Sequence, residues 1–515
     1  MGAALRRDFQ HFGLAVLALI LLTVATRLPA LVHPQAIDDE AVYSVVANEV
    51  VDGGRPYVDA VERKPPLLFW TYTAVFKIAG KYNWMALHAV ALLWTLATMA
   101  GLYFIGSRLF DRETGLIAAL LYSVFQPWAT ANNLAFNGEL MMNLPLVWAW
   151  AIAFGPGASR KRPELLAAGA LLCAGFLLKQ PAAIAAIPLG IYLLLPSYRA
   201  GRGVTKTESV VHAAMLTAGF FSALGLVALL LHRQGILREA FYWTITNHSD
   251  PHVFWNAGVL YTLAFIGACL PLVIGAATAF RDKRGLWTDN IAERTALLGL
   301  LAASALGAAA GGRFYPHYYI QLVPPLALLA APYYARLWHR RDMLPHVRDV
   351  RKHVPPRWLL RPAFICSWLS IAAVAFSISH WKFLAWHREP SETARYLAEH
   401  SAPNDRIFIW GRSAAEVYLH ARRRPACRYV LTFPLTGFVF GGDLPGVDTR
   451  NRIVPNAWGN LEEDFRKHPP VYIADHYSGP DAQYPVRDFP ILTKLLAEHY
   501  EPVTRTAQGV IYRIR

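Results

Sequence analysis

Asp38, Asp39 and Glu40 follow the first apolar stretch of the chain, and Lys64-Pro65-Pro66 closes the loop they open. A carboxylate held within hydrogen-bond reach can take the proton of an attacking hydroxyl. A fixed ammonium can neutralise an anion as it departs. One loop therefore carries both a base and an electrostatic clamp. Further ionisable groups mark the ends of later apolar runs: Glu139 after Asn137-Gly138, Lys179 before Gln180-Pro181, Asn247-His248, and the stretch Arg313-Phe314-Tyr315-Pro316-His317-Tyr318.

The rest of the chain has to position these groups, and its composition says where. It has 515 residues, 55% hydrophobic and 17% charged, against about 25% charged for an ordinary soluble protein. The charges are clustered between long apolar windows, the pattern of a polytopic α-helical membrane protein. The net charge of +15 does not imply nucleic acid. The Lys and Arg lie in short clusters between spans, where topology and anionic lipid explain them, and no basic stripe is interleaved with aromatics. Cys173, Cys269 and Cys366 fall in apolar runs and Cys427 stands alone, so no disulfide or metal framework is implied.

Arg6 and Arg7 precede the run 12–26, and Arg27, Pro29 and His33 make a poor cleavage site, so this run is expected to stay as a first span with its N-terminus inside. The run 65–76, bounded by Lys64 and Lys77, falls short of the ~20 residues a helix needs to cross. It is expected to lie along the outer interface as an amphipathic or re-entrant segment. Spans are then expected at 84–107, 116–132, 140–154, 165–178, 182–195, 210–231, 254–280, 296–310, 318–337 and 362–380. The total is about eleven, and it puts the basic clusters 160–162, 199–206, 281–284 and 340–361 on one side, as the positive-inside rule demands.

Two domains result: a membrane domain, 1–385, and a small soluble α/β domain, 386–515. In the second, β-rich runs at 406–410, 429–432, 471–474 and 510–514 alternate with helical ones at 391–401, 413–421 and 491–499. Parity places it outside the membrane, on the same side as Asp38, Asp39, Glu40, Lys64, Glu139, Lys179 and Arg313. Ionisable groups at membrane depth are costly and usually serve a pathway or site. These are expected to converge in one cleft at the outer rim of the bilayer.

Plainer roles compete. Glu40, Glu49 and Asp52 also suit the wet face of an interfacial helix, and Arg27 suits a snorkelling anchor. Glu139 suits a helix start, Tyr319 an aromatic belt, and Trp410 and Trp458 a core. His248, Asp250 and His252 have the residue types of a metal site, but no metal or other cofactor is expected.

The order Asp39-Glu40-x-x-Tyr43, then Lys64-Pro65-Pro66-Leu67-Leu68-Phe69-Trp70, then Glu139 opening a helix, resembles the GT-C superfamily. More narrowly it is similar to bacterial relatives of protein O-mannosyltransferases and of the lipid A aminoarabinose transferase. Lys179, Tyr315-Pro316-His317-Tyr318 and Pro324-Pro325-Leu326 match later motifs of the group, and the similarity runs over residues 1–340. The resemblance implies a polyprenyl-phosphate sugar donor, a lipid, glycan or protein hydroxyl as acceptor, and inverting transfer on the extracytoplasmic face of a bacterial inner membrane. It implies Asp39 as base or acceptor-orienting group, Lys64 beside the donor phosphate, and Tyr318 lining the pocket. Arg63 departs from the pattern, which favours an acid before the lysine, and Asp38 is a second candidate base. A transporter or flippase of lipid-linked sugars is the alternative, yet it would place charges at the midplane and show inverted repeats. A membrane-anchored binding protein would leave the acids of the first loop unexplained.

Overall fold

The computed structural model describes residues 2–37, 39–129, 131–155, 162–247, 253–281, 285–339, 362–386, 389–411, 413–438, 448–478 and 483–515. The chain divides into two compact units. One holds Met1–Pro34, His88–Leu229 and Val253–Leu384; the other holds Gln35–Leu87, Leu230–His252 and Ala385–Arg515.

The first unit is helical. Among the described residues four helices are long and apolar enough to cross a membrane: Phe12–Val32, Trp84–Leu109, Lys206–Arg233 and Ile291–Ala309. Two bent pairs raise the number to six. Prolines set the breaks. The expected span 254–280 is two helices, Trp255–Ala268 and Leu270–Arg281, meeting at 82°. Pro271 has no N–H to give and its ring opposes the carbonyl one turn back, so the helix cannot run through. Likewise Pro196 holds Leu195 extended (φ −62°, ψ 141°) and divides Ala182–Leu194 from Pro196–Arg202. The expected span 116–132 stops early, because helix Arg112–Phe125 ends just before Gln126-Pro127.

Small residues let the helices approach. A Cβ on Gly169 would lie 2.0 Å from the Leu216 carbonyl oxygen, and one on Gly219 would lie 2.0 Å from that of Leu166. Helix Glu164–Leu178 therefore crosses Lys206–Arg233 almost backbone to backbone, the contact that stands in for hydrophobic drive inside lipid. Arginines read from sequence as bulk positive charge have specific tasks. Arg108 donates to Ala151 O (3.0 Å), Arg162 to Ile152 O (2.9 Å) and Arg202 to Phe154 O (3.0 Å). Three guanidiniums thus satisfy the orphan carbonyls at the end of helix Gly138–Ala153. Arg202 also pairs with Glu293 at 3.2 Å.

The second unit is built on a five-stranded sheet: β1 (Arg406–Trp410), β2 (Arg424–Pro425), β3 (Tyr472–Asp475), β4 (Tyr500–Arg505) and β5 (Val510–Ile514). Their order is β2-β1-β3-β5-β4. β1 runs parallel to β2 and β3, and β5 runs antiparallel to β3 and β4. β3 is buried along its whole length, as a central strand covered on both faces must be. The strand expected at 429–432 is absent. Pairing instead uses Arg424–Pro425, and Tyr429 makes only an isolated bridge to Val61. β4 was not expected. It is an edge strand carrying Glu501, Pro502 and Arg505 with a bulge, features that blunt an edge and hide the usual alternation.

At the end of β3, burial pushes the Asp475 carboxyl up to about 6 and the His476 imidazole down to about 4. His476 Nδ1 lies 3.1 Å from the Ser413 hydroxyl. The folded state holds the Asp475 proton more tightly than the unfolded chain, so its contribution is present below pH 4 and lost as pH rises through about 6. The folded state holds the His476 proton less tightly, so its contribution is present above pH 6.5 and lost as pH falls through about 4. The two slopes oppose each other over the same window. Relative to wild type, His476→Asn should lose stability as pH rises from about 4 to about 6, and Asp475→Asn should gain it. Urea titration of the full-length protein, followed by tryptophan fluorescence, measures both; variants that track wild type across that window would contradict the assignment.

Candidate functional site

In the second unit, helix Asp39–Val51 presents the first acids. Glu40 is fully buried and reaches back, its Oε2 accepting the Ile37 N–H at 2.8 Å. That is the return arm of a capping box, so Glu40 sets the start of the helix. Asp39, one position earlier, is only partly buried, and its Oδ2 accepts the Tyr43 hydroxyl at 2.9 Å. The spacing of four residues puts both groups on one helix face. The Lys64 ammonium stands over the Tyr43 ring, 5.9 Å from its centroid. One tyrosine therefore meets the acid with its hydroxyl and the cation with its ring.

The lysine's backbone is fixed as well. Tyr57 holds a left-handed conformation (φ 67°), uncommon for a bulky residue, and its hydroxyl donates to Lys64 O at 2.8 Å. Pro66 then opens helix Pro66–Ala79, whose buried face is Leu68, Phe69, Tyr72, Thr73 and Phe76. Phe69 packs edge-on against Tyr43 and Tyr57, and Tyr72 against Tyr43. The Tyr72 hydroxyl is driven well above its ordinary pKa by burial and then by Glu40 and Asp39, so this wall stays protonated.

The first unit contains a separate cluster. Asn137 caps helix Gly138–Ala153 by accepting the Leu140 N–H at 3.0 Å. Glu139, 1% exposed, pairs with Lys179 at 2.7 Å. His317 Nε2 lies 3.9 Å from the same carboxylate. The Lys179 ammonium stands 4.8 Å from the Tyr318 ring centroid, and Tyr315 stacks on His317 with 10° between the rings. Gly138 makes room, because a Cβ there would come within 2.8 Å of Lys179 Cδ. Arg313 is buried with its guanidinium 4.7 Å from the Phe254 ring centroid.

Asp39, Tyr43 and Lys64 are thus joined in one unit, and Glu139, Lys179, Tyr315, His317 and Tyr318 in the other. Asp38 lies outside the described residues, as do His248, Asp250 and His252. The structure corrects the plainer readings of Glu40, which is fully buried, of Glu49 and of Arg27. Glu49 is not on a wet face: it is 4% exposed and bound by Arg406 at 3.1 Å and Arg424 at 2.5 Å. Asp52, one residue past the helix, is exposed and pairs with Lys81 at 2.7 Å, in keeping with its plainer reading. Arg27 does not snorkel. It is 2% exposed and donates to Gln126 Oε1 (3.1 Å) and Leu134 O (2.5 Å), fixing the loop that leads to Asn137. Its sequence signal was a cation beside Pro29 at a helix end; its partners lie about 100 residues away, where no spacing argument reaches.

Residues 63–226 match the family of dolichyl-phosphate-mannose-protein mannosyltransferases. No curated protein matches the chain. Among solved structures, the chain is similar to ArnT from Cupriavidus metallidurans bound to undecaprenyl phosphate, at TM-score 0.62 and 15% identity, over 98% of this chain and 97% of that one. It is also similar to the oligosaccharyltransferase AglB from Archaeoglobus fulgidus in complex with an inhibitory peptide and a dolichol-phosphate, at TM-score 0.53 and 12% identity, over 99% and 74%. The chain thus shares the overall fold of ArnT and AglB, carries a stretch that matches the protein-mannosyltransferase family model, and has among its described residues four to six spans long and apolar enough to cross a membrane.

Lys179→Met would leave the Glu139 carboxylate buried with its cation gone, a change worth about 3–5 kcal/mol of stability. Adding Glu139→Gln should return most of that loss. Thermal unfolding of the purified protein in detergent measures the cycle, and equal melting temperatures for Lys179→Met and wild type would show that the pair carries no such energy.

Proposed function

We propose that this protein is an inverting glycosyltransferase that moves a sugar from a polyprenyl-phosphate carrier to a hydroxyl of a lipid, glycan or protein. The observation that carries the reading is Tyr43, whose hydroxyl donates to the Asp39 carboxylate and whose ring face meets the Lys64 ammonium. The solved structures with undecaprenyl phosphate and with dolichol-phosphate support a lipid-phosphate donor for this fold.

In the proposed step the acceptor oxygen attacks the anomeric carbon on the face opposite the phosphate. Its proton passes to Asp39, with Asp38 as the alternative base, the new glycosidic bond forms, and the carbon–oxygen bond to phosphate breaks. The electron pair leaves with the polyprenyl phosphate, an anion already, so no general acid is required. Lys64 neutralises that anion; Lys179 and Arg313 are proposed to hold anionic groups of the donor, and Glu139 to fix Lys179. Tyr43, Tyr315, His317 and Tyr318 are proposed to line the substrate, and Glu40 to hold the helix that carries Asp39. We further propose the topology of about eleven spans, with the shorter apolar helices counted as crossings. Residues 1–385 then form the membrane domain, and residues 386–515 lie outside it, with the site on the extracytoplasmic face of a bacterial inner membrane.

Purified full-length protein in nanodiscs, given a panel of radiolabelled polyprenyl-phosphate sugars and membrane extract, should move label to an acceptor. Asp39→Asn should lower the rate by about 10²–10⁴-fold, the usual worth of a positioned base. Undiminished transfer by that variant would take the base role from Asp39, and donor crossing a vesicle bilayer without transfer would favour a flippase. Because fixed cations are proposed to meet the phosphate, transfer should survive EDTA; abolition by chelation with recovery on adding a divalent ion would contradict this.

A further inference from the structure

The loop that carries Asp39 and Lys64 is fastened to the C-terminal sheet at two points, one near the far end of the helix that opens with Asp39 and one just before Lys64. β1 and β2 begin side by side, with Arg406 paired to Arg424 in register. The sheet edge therefore offers two guanidiniums together, and both close on Glu49. Arg424 donates Nε to Oε2 at 2.9 Å and Nη2 to Oε1 at 2.5 Å, and Arg406 donates Nη2 to Oε1 at 3.1 Å. Such forked, charge-assisted bonds are directional as well as strong. Glu49 belongs to the same helix as Asp39.

A second fastening lies three residues before Lys64. Val61 N donates to Arg428 O at 2.8 Å, and Arg428 is itself gripped by Asp464, through Nη2 at 2.7 Å and Nε at 2.9 Å. Two residues after Val61, the Arg63 guanidinium stands 4.5 Å from the Phe433 ring centroid. The loop's own fold does not require these bonds: Tyr57, Phe69 and Tyr72 already pack it internally. They tie it to something else.

The geometry points to Glu49 as a positioning residue, and to the C-terminal sheet as the clamp that sets where Asp39 and Lys64 stand. This rests on the transferase reading for its catalytic consequence and on geometry alone for its mechanical one. Full-length Glu49→Gln keeps the shape and loses the charge. Hydrogen–deuterium exchange in detergent should rise at least about tenfold across peptides covering 39–64, while β3 and β5 keep their protection. In the transfer assay the same variant should lose kcat by about tenfold with the melting temperature of the sheet unchanged, since misplacing a base costs rate even where folding survives. Exchanging the partners, Glu49→Arg with Arg424→Glu, should recover part of both. Unchanged exchange over 39–64 overturns the clamp, and so does a rise shared equally by loop and sheet. If wild type itself transfers no sugar, the transferase reading fails while the exchange result still decides the clamp.

Discussion

A charge removed from water must meet its partner, and for three buried carboxylates of this protein the partner comes from far along the chain. Glu49 is met by Arg406 and Arg424, Glu139 by Lys179, and Glu293 by Arg202. An uncompensated buried charge would cost several kcal/mol, a large share of any domain's stability. Each pair therefore holds two distant segments in one geometry. The helix that presents Asp39 and the helix end that presents Lys179 are each held by such a pair.

Much of this was legible in the sequence, and the reasons for what was not are physical. Apolar runs flanked by basic clusters place helices at 84–107 and 165–178, and the structure has Trp84–Leu109 and Glu164–Leu178, because periodicity and length act locally. The strand Arg406–Trp410 was found for the same reason. Breaks at Cys269 and after Phe125 were missed although Pro271 and Pro127 stood in plain view, since hydropathy averaged over a window is blind to a missing N–H. Asp39, Tyr43 and Lys64 could be nominated from residue types and motif order. That one ring would join them could not, because it depends on the left-handed turn at Tyr57. Glu49 is the clearest case: its amphipathic surroundings suit solvent, and the fold instead brings Arg406 and Arg424 onto it.

The second unit brings together the loop 35–87 and the C-terminal residues 385–515. In sequence these look unrelated, an interfacial loop and a distant soluble tail. In the fold the tail's first two strands begin where the loop's first helix ends. The contacts of Glu49 with Arg406 and Arg424, and of Val61 with Arg428, join these two distant segments. Within the small α/β domain, Trp410 is fully buried against Phe489 and Trp458.

The central claim is that Asp39 and Lys64 face the same ligand, one taking a proton and the other meeting a phosphate. Equilibrium binding of polyprenyl monophosphate to the purified protein tests it most directly. Lys64→Ala should weaken binding by about tenfold, the worth of one charge-assisted contact, while Asp39→Asn, which removes a like charge, should leave it unchanged or tighter. Binding that is indifferent to Lys64, or that collapses with Asp39→Asn, would contradict the account.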